Sequence, residues 1–208
     1  MTIHNVLQRS DAWFALRCGR LTSSAAAAML ATVKGGGFAA SRRNLCTRLA
    51  LEQLTKKVEP TFQSLAMQQG TEREADALSM YEAQRHCPLV YTGFLAHDEL
   101  MAGCSPDAIV GDLYGIVEAK CPQPATHLAY IRSGVIPTEY QHQNTHHLWI
   151  SGAPWVDWIS YNPDFPEAAR LRVVRQERDE AAIAAYELMA RQFLTEVSEA
   201  VADILSVC

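Results

Sequence analysis

The 208-residue chain has no apolar run approaching the roughly 18 residues that a membrane span needs. It opens Met1-Thr2-Ile3-His4-Asn5, with no basic stretch leading into an apolar one, so no secretory signal is expected. Its six cysteines (18, 46, 87, 104, 121 and 208) include no C-x-x-C pair. Without a sign of export they read as reduced thiols acting as small hydrophobes, not as a disulfide framework, and a cytoplasmic protein is expected. Internal repeats are missing too. The one low-complexity patch, Lys34-Gly35-Gly36-Gly37, lacks a G-K-[ST] ending and has no strand ahead of it, so it is a loop and not a phosphate-binding P-loop. With 49% hydrophobic and 20% charged residues, wholesale disorder is excluded.

A net charge of −5 gives no overall field for nucleic acid, but the charge is unevenly spread. Residues 1–60 hold nine basic and three acidic side chains, a surplus of +6, which leaves −11 for the rest. Such asymmetry points to a polyanion partner for one part of the chain. The length suits one domain with a real core. We expect a basic helical part over residues 1–60, a sheet core over about 61–176 and a C-terminal helix over 178–205.

The first half reads helical. Asp11 is suited to capping a short helix through Trp13 and Leu16, and Thr22, Ser23 and Ser24 to capping a run over 25–30. Ser41 starts a longer helix with Leu45, Leu49 and Leu54, and another spans about 65–84. The period then changes to two. Residues 89–96, 101–103 with 108–110, and 116–121 predict successive short strands, antiparallel because their connections are short. Helices over 125–133 and 137–151 follow, then strands over 155–161 and 171–176. Residues 178–205 carry an apolar stripe from Ile183 to Ile204. The sum predicts an α/β or α+β domain, one mixed sheet flanked by helices.

The chemistry gathers at Cys104-Ser105-Pro106-Asp107 and Glu118-Ala119-Lys120. Asp107 follows a proline bend at a strand start. In the next strand Glu118 and Lys120 project from one face, Val117 and Ala119 from the other. A hairpin would bring Asp107 to Glu118. Two carboxylates suffice for Mg²⁺, which keeps waters and takes substrate phosphate oxygens, and a carbonyl of Ala119 could add a ligand. The bland alternative is a salt bridge on a strand edge. Against it, charged groups converging on a part-buried face are costly unless something compensates them.

Pro106-Asp107…Glu118-Ala119-Lys120 matches the PD-(D/E)XK nuclease pattern. The words Leu16-Arg17-Cys18-Gly19-Arg20-Leu21-Thr22-Ser23-Ser24, Gln69-Gly70-Thr71-Glu72-Arg73-Glu74, Cys104-Ser105-Pro106-Asp107, Glu118-Ala119-Lys120-Cys121-Pro122 and Tyr140-Gln141-His142-Gln143 then occur in an order that resembles the phage lambda exonuclease family of YqaJ-type viral recombinases. The resemblance runs from Trp13 to the last helix and implies the restriction-endonuclease-like α/β core. It implies Asp107 and Glu118 as metal carboxylates, Lys120 as the catalytic lysine, and Glu74 as an upstream acid for a second metal. It implies Gln143 as a holder of water or phosphate, Arg17 and Ser24 as the pocket for a 5′-terminal phosphate, and Met67 as a strand-parting wedge. Asp98 matches a further family acid with a gap one residue short. Ser24 beside Arg17 also reads, from the residues themselves, as an anion site at a helix N-terminus; a plain cap with a surface arginine is the alternative.

The reading is therefore a 5′→3′ exonuclease that degrades one strand of linear duplex DNA, releases 5′-mononucleotides and leaves a 3′ overhang. It uses two Mg²⁺, with Mn²⁺ able to substitute. The resemblance further implies a ring-shaped homotrimer and a single-strand annealing protein as partner; no membrane is involved. Arg42 and Arg43 are candidates for backbone contacts. Three rivals stand beside this: an endonuclease on the same core, a non-catalytic end-binding subunit, and a zinc hydrolase. The last would use His142 and His146, but no third ligand is near, and a solvated or DNA-facing helix suits His142, His146 and His147 better. Trp149, Trp155 and Trp158 could stack on bases, although Trp158 between Val156 and Ile159 suits a core strand better.

Overall fold

The computed structural model describes residues 1–58 and 65–207, with side chains left out for 65–71. The elements run β1 (Thr2–His4), α1 (Asp11–Arg17), β2 (Leu21–Thr22), a 3₁₀ turn (Ser23–Ala25), α2 (Ala26–Leu30), α3 (Ala40–Thr55), α4 (Leu65–Arg85), β3 (Leu89–Val90), β4 (Phe94–Ala96), β5 (Ala102–Cys104), β6 (Ala108–Val110), β7 (Gly115–Lys120), α5 (Pro124–Ser133), α6 (Thr138–Ser151), β8 (Trp155–Tyr161), α7 (Glu167–Arg170), β9 (Leu171–Glu177) and α8 (Glu180–Ser206).

The expected mixed sheet flanked by helices is present as a five-stranded sheet, β3-β6-β7-β8-β9, and a four-stranded companion, β1-β4-β5-β2, accompanies it. The stretch 89–96, expected as one strand, is divided between them. Leu89–Val90 pairs with β6, whereas Phe94–Ala96 pairs with β1 and β5. The break falls at Gly93, where an added Cβ would meet the Val6 carbonyl oxygen at 2.2 Å. Only glycine lets the loop after β1 pass so close.

Strand β7 lies at the centre, antiparallel to β6 and parallel to β8. A parallel pair needs a crossover, and here α5 and α6 supply it. The face alternation holds. Val117 and Ala119 join Ala77, Leu78 and Tyr81 of α4 in one core, while Ile116 packs with α6 and α8 in the other. Glu118 and Lys120 therefore share the Ile116 face.

Helix α8 is capped by Asp179, which accepts hydrogen bonds from the amides of Ala181 and Ala182 at 2.9 and 3.1 Å, and starts at Glu180, two residues inside the predicted start. Its stripe Ile183, Tyr186, Ala190, Phe193 and Val197 is buried and meets Leu45 and Leu49 of α3. Two local expectations are corrected. The cap of α1 is Ser10, whose hydroxyl accepts from the Trp13 amide at 3.3 Å, and Asp11 sits in the first turn. Ser23–Ala25 form a 3₁₀ turn without a side-chain cap, and α2 has only five residues. The run of alanines supplies helix propensity there, but too little length for a substantial dipole.

Candidate active site

The β6–β7 register pairs Ala108 with Val117, which puts Asp107, one residue ahead of β6, opposite Glu118. Asp107 Oδ2 accepts a hydrogen bond from the Ala119 amide at 2.7 Å. Glu118 is 2% exposed. Lys120 Nζ and Gln143 Nε2 both donate to its Oε1, at 2.5 Å each. On the other side, His147 Nε2 stands 3.0 Å from Oε2, close but outside hydrogen-bond geometry. The β7–α5–α6–β8 crossover brings Gln143 and His147 over the sheet from α6, while α4 supplies Glu74.

Burial alone would push the Glu118 carboxyl up; Lys120 and His147 more than offset it and hold it down at about 2. Burial likewise works against the charge on Lys120, and Glu118 and Asp107 overcome it, so the ammonium is held above its ordinary value. Asp107 goes the other way. Burial first, then the negative charges of Glu118 and Glu74, raise its carboxyl well above the usual range despite Lys120 and the Ala119 amide. Glu74 is also raised, by burial and then by Glu118, with Arg9 opposing; its carboxylate pairs with Arg9 at 3.2 Å.

Three carboxylates thus repel one another across a half-buried space, a repulsion that a divalent cation would relieve. Among the described residues no three His, Cys, Asp or Glu side chains form a ready-made metal cage. The carboxylates of Asp107 and Glu118 are oxygen ligands of the kind that fit Mg²⁺, which is held by one or two carboxylates with waters and phosphate oxygens. Asp107 and Glu118 are the residues that would hold it. Glu74 is near enough to feel Glu118 but is engaged with Arg9.

Beside the carboxylates lies a cationic pocket. Arg17, at the end of α1, donates from Nη1 to Ser105 Oγ at 3.1 Å, and its guanidinium lies 4.1 Å from the centre of the Trp13 ring. The Trp13 indole N–H also donates to Ser105 Oγ, at 2.9 Å. Burial lowers the Arg17 pKa to about 10, still leaving it charged at neutral pH. Ser105 and Trp13 were not singled out in the sequence, although both lie in or beside quoted words; the signal was the serine two residues before Asp107. Ser24 is exposed, and its hydroxyl lies 3.4 Å from Thr22 Oγ1.

Other expectations resolve as follows. Asp98 is occupied by the chain's amino terminus and by Thr2 Oγ1 at 2.9 Å, not by the carboxylate group. His146 and His147 are fully buried, which excludes a solvated or DNA-facing role for them. His146 uses both ring nitrogens, with the Tyr186 hydroxyl at 2.7 Å and the Gly103 carbonyl at 3.0 Å, so no nitrogen is left for a zinc pair with His142. Trp158 is a core residue at 0% exposure. Arg42 is 1% exposed, paired with Glu196 at 2.8 Å and stacked near Phe38 and Phe193. It is a buried structural cation and not a backbone contact. Arg43 remains exposed, donating to the Phe38 carbonyl at 2.7 Å. The Met67 side chain lies outside the described residues.

Residues 12–154 match the model of the YqaJ-like viral recombinase domain, more than half of the chain. The chain belongs to this family. Over 95% of its length it is similar to the alkaline exonuclease LHK-Exo of Laribacter hongkongensis, with 32% identity, a TM-score of 0.86 and 97% of that chain covered. The structure of LHK-Exo in complex with dAMP matches equally well, at 33% identity and a TM-score of 0.86 over 94% of this chain and 96% of that one. A phage-related exonuclease of Haemophilus somnus 129PT, 13% identical with a TM-score of 0.71 over 89% of this chain and 96% of that one, shares the fold. No curated protein matches the chain in sequence. In this chain Asp107, Glu118 and Lys120 lie together just ahead of β6 and along β7.

Proposed function

We propose that this YqaJ-like protein is a Mg²⁺-dependent 5′→3′ exonuclease that degrades one strand of linear duplex DNA from its end, releasing 5′-mononucleotides. Nuclease chemistry rests on membership in the family and on likeness to an alkaline exonuclease along nearly the whole chain. The observation that carries the finer reading is the adjacency of two unlike sites. Ser105, in the Arg17 pocket, is two residues from Asp107, in the carboxylate site.

Asp107 and Glu118 would hold the cation, which when bound would supply a water of lowered pKa and a Lewis acid for the phosphoryl oxygens. Lys120 and Gln143, both anchored on Glu118 Oε1, place N–H donors where the attacking water and the scissile phosphate meet. The Lys120 ammonium offsets charge that builds on phosphorus oxygens as attack proceeds. Arg17, fixed on Trp13 and donating to Ser105, binds the 5′-terminal phosphate as a charge-assisted donor, which sets direction. Ser24, whose hydroxyl is exposed, is the second member of this phosphate pocket. A homotrimer around the duplex and a single-strand annealing partner complete the proposed setting for recombination.

The decisive experiment digests linear duplex labelled at either the 5′ or the 3′ terminus, beside closed circular DNA, with Mg²⁺ or with EDTA. Early release of the 5′ label as mononucleotide, Mg²⁺ dependence and an intact circle are expected. Cutting of the circle as fast as of the linear duplex would replace this reading with an endonuclease.

A further inference from the structure

Among the described residues three histidines are fully buried, His127, His146 and His147. Burying a polar ring is costly unless its nitrogens are hydrogen-bonded. His127 meets that condition, with Ser160 Oγ 2.8 Å from Nδ1 and the Ala169 carbonyl 2.9 Å from Nε2. His146 meets it through Tyr186 and Gly103. His147 does not, because neither of its ring nitrogens has a hydrogen-bond partner. Three residues earlier, and so on the same face of α6, Asn144 is fully buried with both amide atoms unpartnered. The atom that His147 Nε2 faces at 3.0 Å, Glu118 Oε2, is unpartnered as well. Five of the nine buried side-chain nitrogens and oxygens that lack a partner among the described residues thus belong to Glu118, His147 and Asn144. Native proteins leave few such atoms, and a cluster of them marks a strained or catalytic place.

We propose that His147 is a positioning residue for Glu118, donating from Nε2 to Oε2 when the carboxylate holds its cation, an inference that rests on the metal-dependent nuclease reading above. Oε1 already receives Lys120 and Gln143. A grip on that oxygen alone leaves the carboxylate free to turn about it, and a donor on Oε2 stops the turn. The distance is already that of a hydrogen bond and only the angle falls short. A small tilt of the ring or of the carboxylate completes the contact. An ionised carboxylate offers about four lone-pair sites, so three N–H donors leave it the capacity to bind a cation. His147 thus acts through Glu118 and not on the DNA. Groups that orient a metal ligand in this way are worth about 10–100-fold in metal affinity.

The test is Mn²⁺ binding to the full chain, measured by calorimetry without DNA, for the unmutated protein and for His147→Leu, His147→Asn and His147→Gln. Leucine fills the space without a donor. The asparagine amide stands near the place of Nδ1 and falls short of Oε2, whereas the glutamine amide reaches the place of Nε2. We expect His147→Leu and His147→Asn to weaken Mn²⁺ binding about 10–100-fold, and His147→Gln to keep it within about threefold of the unmutated protein. The Mg²⁺ concentration for half-maximal nuclease rate should rise in the same order. Near-ultraviolet circular dichroism checks that each variant is folded; if His147→Leu does not fold, the contrast between asparagine and glutamine decides alone. Unchanged Mn²⁺ affinity in the asparagine and leucine variants, or an equal loss in the glutamine variant, overturns the inference and leaves His147 a packing residue. Nitrogen hyperfine coupling from the His147 ring in the electron paramagnetic resonance spectrum of bound Mn²⁺ overturns it as well, by making His147 a ligand. In either case Mg²⁺-dependent degradation of linear duplex by the unmutated protein leaves the nuclease reading standing. An unmutated chain that binds neither Mn²⁺ nor Mg²⁺ overturns both.

Discussion

Asp107→Asn should make the metal-free protein more stable and nearly inactive. Asparagine has the same shape, and its carbonyl oxygen can keep the 2.7 Å hydrogen bond from the Ala119 amide. What disappears is a negative charge that burial, Glu118 and Glu74 all oppose. Because the folded state raises this carboxyl above its ordinary 3.8, ionising it works against folding. The penalty is absent at and below about pH 3.8, grows as pH rises, and is complete once the pH exceeds the raised value. Above that point the substitution should stabilise by about 1 kcal/mol, typical of removing a strained functional charge, or about 2–4 °C in Tm for a chain of this size. Thermal unfolding followed by circular dichroism in EDTA at pH 4 and pH 8 measures it. The gain should appear at pH 8 and vanish at pH 4. In Mg²⁺ the order should reverse, since cation binding stabilises only the protein that holds it, and nuclease rate should fall at least about 100-fold. A loss of stability in EDTA at pH 8 would refute the idea that these carboxylates repel one another in the absence of metal.

Lys120→Met should lower the nuclease rate by about 10²–10³, measured as single-turnover release of a 5′-labelled nucleotide; a loss under tenfold would remove Lys120 from the chemistry. Arg17→Ala should reduce the preference for 5′-phosphorylated over 5′-hydroxyl ends, and equal rates on both ends in the unmutated protein would discard the Arg17–Ser105 pocket. Arg42→Ala should destabilise by about 3 kcal/mol, because it leaves the Glu196 carboxylate unpaired and a hole beside Phe193. The salt dependence of DNA binding should not change with it, whereas a phosphate-contacting arginine would reduce the slope by about one.

Much of the site was legible because strand periodicity is a strict rule. Glu118 and Lys120 had to share a face, and the short link between residues 110 and 115 had to form a hairpin. What was not legible depended on distant packing. The division of 89–96 between two sheets turns on the Val6 carbonyl, 87 residues from Gly93 in sequence, crossing close to the backbone. Histidines at 146 and 147 read as surface residues because their buried partners, Tyr186, Gly103 and Glu118, come from other elements. The +6 surplus of residues 1–60 suffered the same blindness. Counting charge says nothing of where a guanidinium ends up, and Arg42 is in the core while Arg48 pairs with Glu52 at 3.3 Å.

The spacing of Ser105 and Asp107 has a mechanical meaning. Both lie in the short link between β5 and β6, where two residues span at most about 7 Å, the scale of one phosphate repeat of a DNA strand. If the terminal phosphate rests at Ser105 and the next one at Asp107, the protein carries a ruler one nucleotide long, cut into a single rigid segment. Such a ruler cannot stretch to two nucleotides, because Trp13 and Arg17 clamp one end through the Ser105 hydroxyl and the Ala119 amide clamps the other through Asp107. Step size would then be a property of covalent geometry, independent of which base is leaving and of how fast the strand advances.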